Sequence, residues 1–173
     1  TEGLFKEEIV PVVQKGRKGD DIFSEDERPM DTTYEKMAEM KPAFVKDGTV
    51  TAGNASGIND AAAAVLMMSA DKARELGLKP VVKIKAFAGG GVDPAYMGLG
   101  PVPAVRKVLK QTGMSIKDLE MIELNEAFAS QAIGCFRELG LDNEKPNQLG
   151  SGISLGHPIG CTGARMMVTA MHQ

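Results

Sequence analysis

The sequence predicts an α/β fold in which helices and strands alternate along the chain and stack in layers. Two segments, residues 81–88 and 121–124, have the aliphatic and β-branched composition of strands. Helical segments precede, separate and follow them, and glycines end most of these helices. Alternation of this kind is typical of layered α/β domains.

Residues 1–50 form the least regular part of the sequence. Charged residues alternate with glycine around 15–21, and a second charged run follows at 24–29. Such composition predicts a mostly solvated loop, interrupted by a short helix at 33–40 and an ordered turn at 42–44.

The predicted helices after residue 50 each carry a recognisable signal. Residues 59–68 are nearly all small or apolar, so a helix there is expected inside the structure or between layers. Ser69 is a suitable N-cap for the next helix, which Gly77 ends. The remaining predicted helices are 103–112, a helix entered at Ser115 and Asp118, 127–139, and a last helix after the glycine-rich loop 150–163.

Composition excludes several classes of function. Hydrophobic residues make up 43% of the chain and charged residues 25%, which allows an ordinary core. A net charge of -3, few aromatics and no Trp predict no nucleic-acid partner. We expect no membrane partner either, because no apolar run approaches the ~20 residues of a membrane span. No signal peptide is recognisable at the start, so we expect a cytoplasmic protein.

Metal and disulfide sites are not expected. Two cysteines, Cys135 and Cys161, are too few for a disulfide framework, and both are expected to be small buried residues. The two histidines, His157 and His172, are far apart in sequence and lack nearby ligand patterns, so we predict no metal.

The first candidate for chemistry is His157, which lies in the segment Gly-His-Pro-Ile-Gly at 156–160. Glycines allow close approach of a ligand and Pro158 stiffens the loop. A histidine held in this way suits proton transfer or stabilisation of an oxyanion. The alternative is a loop histidine whose hydrogen bonds are all to the backbone.

The second candidate is Asn125, in Asn-Glu-Ala-Phe-Ala at 125–129, directly after the predicted strand 121–124. Polar residues that follow a strand lie where α/β proteins bind ligands. An asparagine can hold a water or an oxyanion there. The alternative is a helix start, with Asn125 as the N-cap and Glu126 favoured by the helix dipole.

Two other glycine-rich patterns were weighed. Small residues at 51–60, with the hydroxyl of Ser56, could let a thin ligand lie along the backbone, or could form an ordinary loop and N-cap. The pattern at 150–156 is one residue longer than the dinucleotide fingerprint and follows no suitable strand, so a nicotinamide cofactor is not predicted. A serine hydrolase is not predicted because no G-x-S-x-G elbow contains Ser56.

Taken together, the segments 53–60, 125–129 and 150–165 resemble the signatures of the thiolase family, in the family's order and approximate spacing. Segments 3–12 and 92–101 resemble the family as well, so the likeness covers nearly the whole chain. It implies a thiolase-like layered fold, αβαβα in the whole enzyme. By the same likeness, residues 1–58 complete an inserted loop domain and 59–173 form a C-terminal thiolase domain truncated at its end.

The resemblance also implies roles for particular residues. His157 corresponds to the histidine that activates a nucleophilic cysteine and helps to bind the thioester oxygen. Asn125 corresponds to the asparagine that holds a water in the same oxyanion site. The remaining positions correspond to the pantetheine channel of coenzyme A (Ser56, Ala52, Ala43 and Phe44) and to the surroundings of the acyl group (Met97, Ala127 and Phe128).

Two departures from the family pattern affect the expected activity. The resemblance places the nucleophilic cysteine in an N-terminal half and a second catalytic cysteine beyond Gln173, and neither Cys135 nor Cys161 matches these positions. Both thiols are needed for a Claisen condensation. We therefore expect this chain to be a piece of a longer thiolase that is inactive alone and needs the missing N-terminal half as a partner.

The expected parent activity is the condensation of two acetyl-CoA to acetoacetyl-CoA and CoA, or the reverse thiolysis. Met97 is the reason to expect short acyl chains, because a bulky side chain shortens the acyl pocket. The resemblance further implies coenzyme A thioesters as substrates without a tightly bound cofactor, a homo-oligomer such as a homotetramer, and a role in fatty acid metabolism. The alternatives are a degradative 3-ketoacyl-CoA thiolase with longer substrates and a non-catalytic CoA-binding or assembly module.

Overall fold

The computed structural model describes residues 3–173 and contains helices together with one small sheet. In the described part, the α-helices and strands are β1 (Val12–Gln14), β2 (Asp21–Phe23), α1 (Tyr34–Ala38), α2 (Ala70–Glu75), α3 (Pro101–Thr112), α4 (Ala129–Leu139) and α5 (Thr162–His172). Two 3-10 helices accompany them, Pro94–Leu99 and Ile116–Asp118.

The core lies between α3, α4 and the 3-10 helix that precedes α3. Val102 of α3 is buried against Leu124 and against Ala132 and Cys135 of α4. Gly134 of α4 allows the 3-10 helix Pro94–Leu99 to approach closely, because a Cβ at this position would lie 3.0 Å from a Leu99 methyl group. This packing fixes the start of α4, next to the candidate residue Asn125.

Most of the predicted helices are confirmed, and their capping residues explain why. The Ser69 hydroxyl accepts a hydrogen bond from the Lys72 amide over 3.2 Å at the start of α2. Gly113 and Gly140 end α3 and α4 with φ of 68° and 64°, in the left-handed region that glycine adopts at low cost. Ser115 and Asp118 form the predicted capping box, although it starts only one 3-10 turn.

The helix predicted at 59–68 is wrong. These residues have no regular secondary structure, and Leu66 is 83% exposed. Most helical stability in proteins comes from packing one apolar face. No element of residues 3–173 covers this segment, so its small and apolar side chains do not stabilise a helix.

The predicted strands are also wrong as regular elements. Residues 81–88 form no strand, and 121–124 contribute a single bridge between Ile122 and Pro146. A strand needs a neighbour to pair its backbone groups, and the described residues supply little of one. The sheet that does form is the antiparallel pair β1–β2, with Val13 opposite Ile22, inside the segment predicted to be loop.

Candidate active site

Three loops lie side by side, and backbone hydrogen bonds join them. The amide of His157 donates to the Gly57 carbonyl over 3.1 Å, and the amide of Ser56 donates to the Ala127 carbonyl over 2.9 Å. We call these loops (residues 51–59, 125–128 and 150–158) the three-loop site. The residues predicted from three separate sequence segments are thereby brought to one place.

The ring of His157 is held in one orientation by a hydroxyl group. Its Nδ1 lies 2.8 Å from Thr162 Oγ1. The single proton of that hydroxyl is donated to the Pro158 carbonyl over 2.9 Å, so Thr162 accepts from His157. With this assignment Nδ1 is the donor to Thr162, and Nε2 is the ring nitrogen outside this contact. Such a nitrogen can act as a general base.

Asn125 presents a buried acceptor within the three-loop site. Its Oδ1 has no hydrogen-bond partner among residues 3–173. The glycine-rich loop crosses it at Gly152, where a Cβ would lie 2.8 Å from Asn125 Oδ1 and 2.7 Å from the Glu126 carbonyl. A buried acceptor without a donor is costly, so the position favours an O–H or N–H group from a ligand or a water.

The helix-cap alternative for Asn125 is not what the structure shows. Helix α4 begins at Ala129, two residues later than predicted, and Phe128 occupies the N-cap position. Asn125 therefore lies before the cap. Its catalytic role stays a prediction, but its position no longer has the simpler explanation.

Among the predicted pantetheine positions, Phe44 contacts a residue of the three-loop site. Phe44 meets Phe128 edge to face, with ring centroids 6.0 Å apart and planes at 78°. Ala43 and Ala52 are exposed on the turns that lead to Ser56, and the Ala43 amide donates to the Val50 carbonyl over 2.8 Å. The Phe44–Phe128 contact therefore links the turn at 42–44 to the loop 125–128.

Met97 reaches the three-loop site indirectly. It is 77% exposed on the 3-10 helix Pro94–Leu99. The next residue, Gly98, packs so closely on Gln131 that a Cβ would lie 2.9 Å from Gln131 Cγ. The Gln131 side chain in turn accepts a hydrogen bond from the Ala127 amide over 3.1 Å. Ala127 thus connects the segment of Met97 with the segment of Ser56.

Two family models together match nearly the whole chain. Residues 78–173 match the family model described as "Thiolase, C-terminal domain", and residues 1–71 match "Thiolase, N-terminal domain". The chain belongs to the thiolase family.

Individual relatives and solved structures of the thiolase family resemble the chain closely. It is 57% identical to the acetyl-CoA acetyltransferase of Syntrophomonas wolfei over 173 residues, which are 99% of this chain and 44% of the relative. The Bacillus anthracis acetyl-CoA acetyltransferase has a TM-score of 0.90 and 49% identity, over 98% of this chain and 43% of that one. Human mitochondrial 3-ketoacyl-CoA thiolase in complex with CoA has a TM-score of 0.85 and 39% identity, over 98% and 42%.

These comparisons confirm the predicted fold class, since the solved neighbours are thiolases. The chain spans less than half the length of the relatives it matches. The predicted boundary at residues 58 and 59 stays a prediction. No helix within residues 3–173 is long and apolar enough to cross a membrane.

Three residues that hold the loops of the three-loop site were not predicted from the sequence. Thr162 holds the ring of His157. The Arg28 guanidinium donates to the Ala55 carbonyl over 2.9 Å and to the Ile153 carbonyl over 3.1 Å, so it joins two of the loops. Asn147 is bonded to the segment before Asn125. A polar side chain in a loop gives little signal in one sequence, and Arg28 also lay in a run of charges that predicted solvent exposure.

An ion pair connects the segment of Asn125 with the helix that follows His157. Glu123 Oε2 lies 3.9 Å from Arg165 Nη1 on α5, and the two side chains are only 7% and 18% exposed. Burial raises the pKa of Glu123, although the Gln173 amide and the Arg165 charge oppose this. The pair therefore carries a cost of burial as well as an attraction.

The two cysteines differ in their environment. Cys135 is fully buried and its thiol donates to the Gly98 carbonyl over 3.3 Å, as expected for a structural residue. Burial raises the pKa of the Cys135 thiol. Cys161, at the N-cap of α5, is partly exposed, so the expectation of burial is wrong there. The Gly160–Cys161 turn at the surface explains the difference.

A shallow cavity borders the three-loop site but is not the predicted coenzyme A channel. Its volume is about 440 Å³, and Asn59, Asp60, Pro158, Cys161 and Ala164 are among its lining residues. None of the predicted channel positions lines it. Within residues 3–173 no group of three or more His, Cys, Asp or Glu is placed to hold a metal ion.

Proposed function

We propose that the protein to which this chain belongs is an acetyl-CoA acetyltransferase. It would condense two acetyl-CoA to acetoacetyl-CoA and CoA, or run the reverse thiolysis, in the cytoplasm and as part of fatty acid metabolism. The observation that supports the proposal is that the loop 51–59 is hydrogen-bonded both to His157 and to Ala127, two residues after Asn125. Asn125 also has a buried Oδ1 with no partner among residues 3–173.

The first half-reaction needs a base beside a thiol. Nε2 of His157 takes the proton of a cysteine thiol, and the thiolate attacks the carbonyl carbon of acetyl-CoA. The tetrahedral intermediate collapses and the C–S bond to coenzyme A breaks. The leaving CoA thiolate takes the proton of a second thiol, which is left as a thiolate, while His157 stays protonated. The products are an acetylated cysteine and free CoA.

The second half-reaction makes the carbon–carbon bond. The second thiolate removes a proton from the methyl group of another acetyl-CoA and becomes a thiol again, and negative charge develops on the thioester oxygen. The protonated ring of His157 and a water bound to Asn125 Oδ1 would stabilise that enolate oxygen. The enolate carbon then attacks the carbonyl carbon of the acetylated cysteine, the C–S bond to that cysteine breaks, and acetoacetyl-CoA is formed. The released cysteine thiolate takes its proton back from His157, which regenerates the starting state.

The thiols of this mechanism are proposed to come from residues outside this chain. Cys135 is buried, bonded to Gly98, and has a raised pKa, all of which oppose nucleophilic attack. Cys161 lies beside the shallow cavity and not among the residues of the three-loop site. A thiolase N-terminal half is therefore the proposed partner, within a homo-oligomer such as a homotetramer.

Substrate binding is proposed to follow the predicted positions. Small residues and one hydroxyl near Ser56 would let the pantetheine arm lie along the backbone, with the Phe44–Phe128 pair beside it. Ala127 and Met97 would border the acyl group, and the bulk of Met97 would favour short chains. Coenzyme A thioesters are substrates here, and no tightly bound cofactor is proposed.

A degradative 3-ketoacyl-CoA thiolase is the second candidate, because the human 3-ketoacyl-CoA thiolase has nearly the same fold over this chain. A series of 3-ketoacyl-CoA substrates of increasing length separates the two. The proposal expects kcat/KM to be highest for acetoacetyl-CoA and to fall with length, whereas a maximum at long chains would establish the second candidate.

The decisive experiment compares the intact gene product with the isolated 173-residue chain. We expect the intact protein to cleave acetoacetyl-CoA when CoA is added and to lose that activity after alkylation of its thiols. The isolated chain should show only the background rate. No thiolysis by the intact protein would leave a non-catalytic CoA-binding or assembly module, and thiol-independent cleavage by the chain would overturn the mechanism.

A further inference from the structure

Asn147 has a backbone conformation that few residues adopt. Its φ is 56°, in the left-handed region, where asparagine is tolerated better than most side chains. In this conformation the backbone N–H of Asn147 donates to the Ile122 carbonyl over 2.9 Å, next to the bridge between Pro146 and Ile122. The backbone thus directs the side chain along the segment 122–126.

The carboxamide of Asn147 makes three hydrogen bonds to that segment. Its Oδ1 accepts from the Leu124 amide over 2.8 Å, and its Nδ2 donates to the Leu124 carbonyl over 2.8 Å. Nδ2 also donates to Glu126 Oε1 over 3.0 Å. The side chain therefore bonds both backbone groups of the residue before Asn125 and the carboxylate of the residue after it.

We propose that Asn147 is a positioning residue for Asn125, and this inference rests on the proposed function. A single planar group fixes Leu124 and Glu126, so the peptide between them cannot rotate without breaking its bonds. The Leu124 carbonyl also accepts from the buried hydroxyl of Ser151 over 3.0 Å, in the loop that crosses Asn125. Rotation of that peptide would displace Asn125 Oδ1 and the water it is proposed to hold.

The chemistry of this contact requires an amide. Aspartate has the same shape and tolerates the same φ, but it loses both N–H donors and places a second carboxylate beside Glu126. Glycine keeps the φ and removes the side chain altogether. Asn147→Asp and Asn147→Gly therefore remove the contact in two different ways while leaving the backbone unstrained.

The test is a double-mutant cycle in the intact protein with Asn147→Asp and Asn125→Ala. We expect Asn147→Asp to lower kcat for condensation about 10- to 100-fold, the scale of a displaced catalytic group, while KM for acetyl-CoA changes less than about threefold. In the Asn125→Ala background the same substitution should cost almost nothing further, because its effect passes through Asn125. Full additivity of the two losses would overturn the proposal.

A matched control separates positioning from general loss of stability. Ala73→Gly, in the interior of α2, should lower Tm by about as much as Asn147→Gly through its helix propensity, yet leave kcat unchanged. Amide hydrogen exchange of Leu124 should rise in both Asn147 variants and not in Ala73→Gly. Equal kcat in all three, with wild-type exchange at Leu124, would also overturn the proposal. An inactive wild-type protein would instead contradict the proposed function, and Leu124 exchange would still report whether the contact exists.

Discussion

At the scale of single residues, the site depends on hydrogen bonds that leave one atom free. Thr162 donates its only proton to the Pro158 carbonyl and contacts Nδ1 of His157, which leaves Nε2 outside this contact. Asn125 is held by its neighbours while its own Oδ1 stays unpaired among residues 3–173. Asn59 Oδ1, in the same three-loop site, is unpaired among these residues as well, whereas most buried polar atoms in proteins are paired.

Replacing His157 by alanine in the intact protein should lower kcat for thiolysis at least 10²–10³-fold, about 3–4 kcal/mol of transition-state stabilisation. The affinity for CoA should change little, because the ring acts on the reacting atoms and not on the carrier. Steady-state kinetics combined with CoA titration measures both quantities on one sample.

His172→Ala provides the matched control for that substitution. His172 lies at the end of α5, with its Nδ1 3.8 Å from the exposed carboxylate of Glu7. Such an exposed pair contributes little, so this variant should keep the wild-type rate. If His157→Ala kept a tenth of its rate, His157 would be a structural loop residue.

The sequence indicated which residues are candidates for a site, but it did not indicate the contacts that hold them. His157 was singled out by the glycines around it, and Asn125 by a predicted strand that the structure reduces to a single bridge. Thr162 and Asn147 have no such signal, since their partners are backbone carbonyls and amides whose positions depend on the folded loops. One sequence shows which groups are available and not which of them meet.

At the scale of elements, local signals decided what could be predicted. Helices α2, α3 and α4 follow their caps and glycines, which act within a few residues. The segments 59–68 and 81–88 depend on partners for their packing and pairing, and composition alone gave the wrong local structure. The pair β1–β2 formed because its β-branched residues flank a charged turn, which the prediction weighed too heavily.

The Glu123–Arg165 pair joins the segment of Asn125 to α5, and it should make stability depend on pH in an unusual direction. The pKa of Glu123 is raised above its ordinary value of 4.5 because the carboxyl is buried. The folded state therefore binds more protons than the unfolded state in the window above 4.5, and the contribution of Glu123 to stability falls as pH rises through this window.

Comparison of the intact protein with its Glu123→Gln variant isolates this contribution. The glutamine does not titrate, so the difference in Tm (wild type minus variant) should decrease as pH rises from about 4.5 towards neutrality. Thermal unfolding at several pH values checks the direction whatever the offset at neutral pH. A difference that grew with pH would mean that attraction to Arg165 outweighs burial and lowers the pKa.

At the scale of the whole molecule, the chain exposes more surface to solvent than a typical folded monomer of the same mass. Its accessible area is 13246 Å² for 18.4 kDa, whereas a folded monomer of that mass exposes roughly 8,200 Å². Many large hydrophobic side chains are exposed, among them Ile58 (96%) and Phe87 (85%). Single exposed hydrophobic residues are ordinary, but exposure of so many on one chain favours contact with other protein.

We therefore expect the isolated 173-residue chain to behave poorly as a monomer. The segments 58–68 and 81–87 would bind a hydrophobic dye such as ANS and promote self-association, because burial of apolar area is favourable by about 25 cal/mol per Å². Sedimentation and dye fluorescence across a concentration series measure both effects. Leu66→Lys and Phe87→Lys, at highly exposed positions, should reduce dye binding and association without lowering Tm, whereas the same changes in the intact protein should destabilise it if that surface is covered there. A monomeric chain that binds no dye would show that these segments rearrange to bury themselves, and would contradict the exposed surface described above.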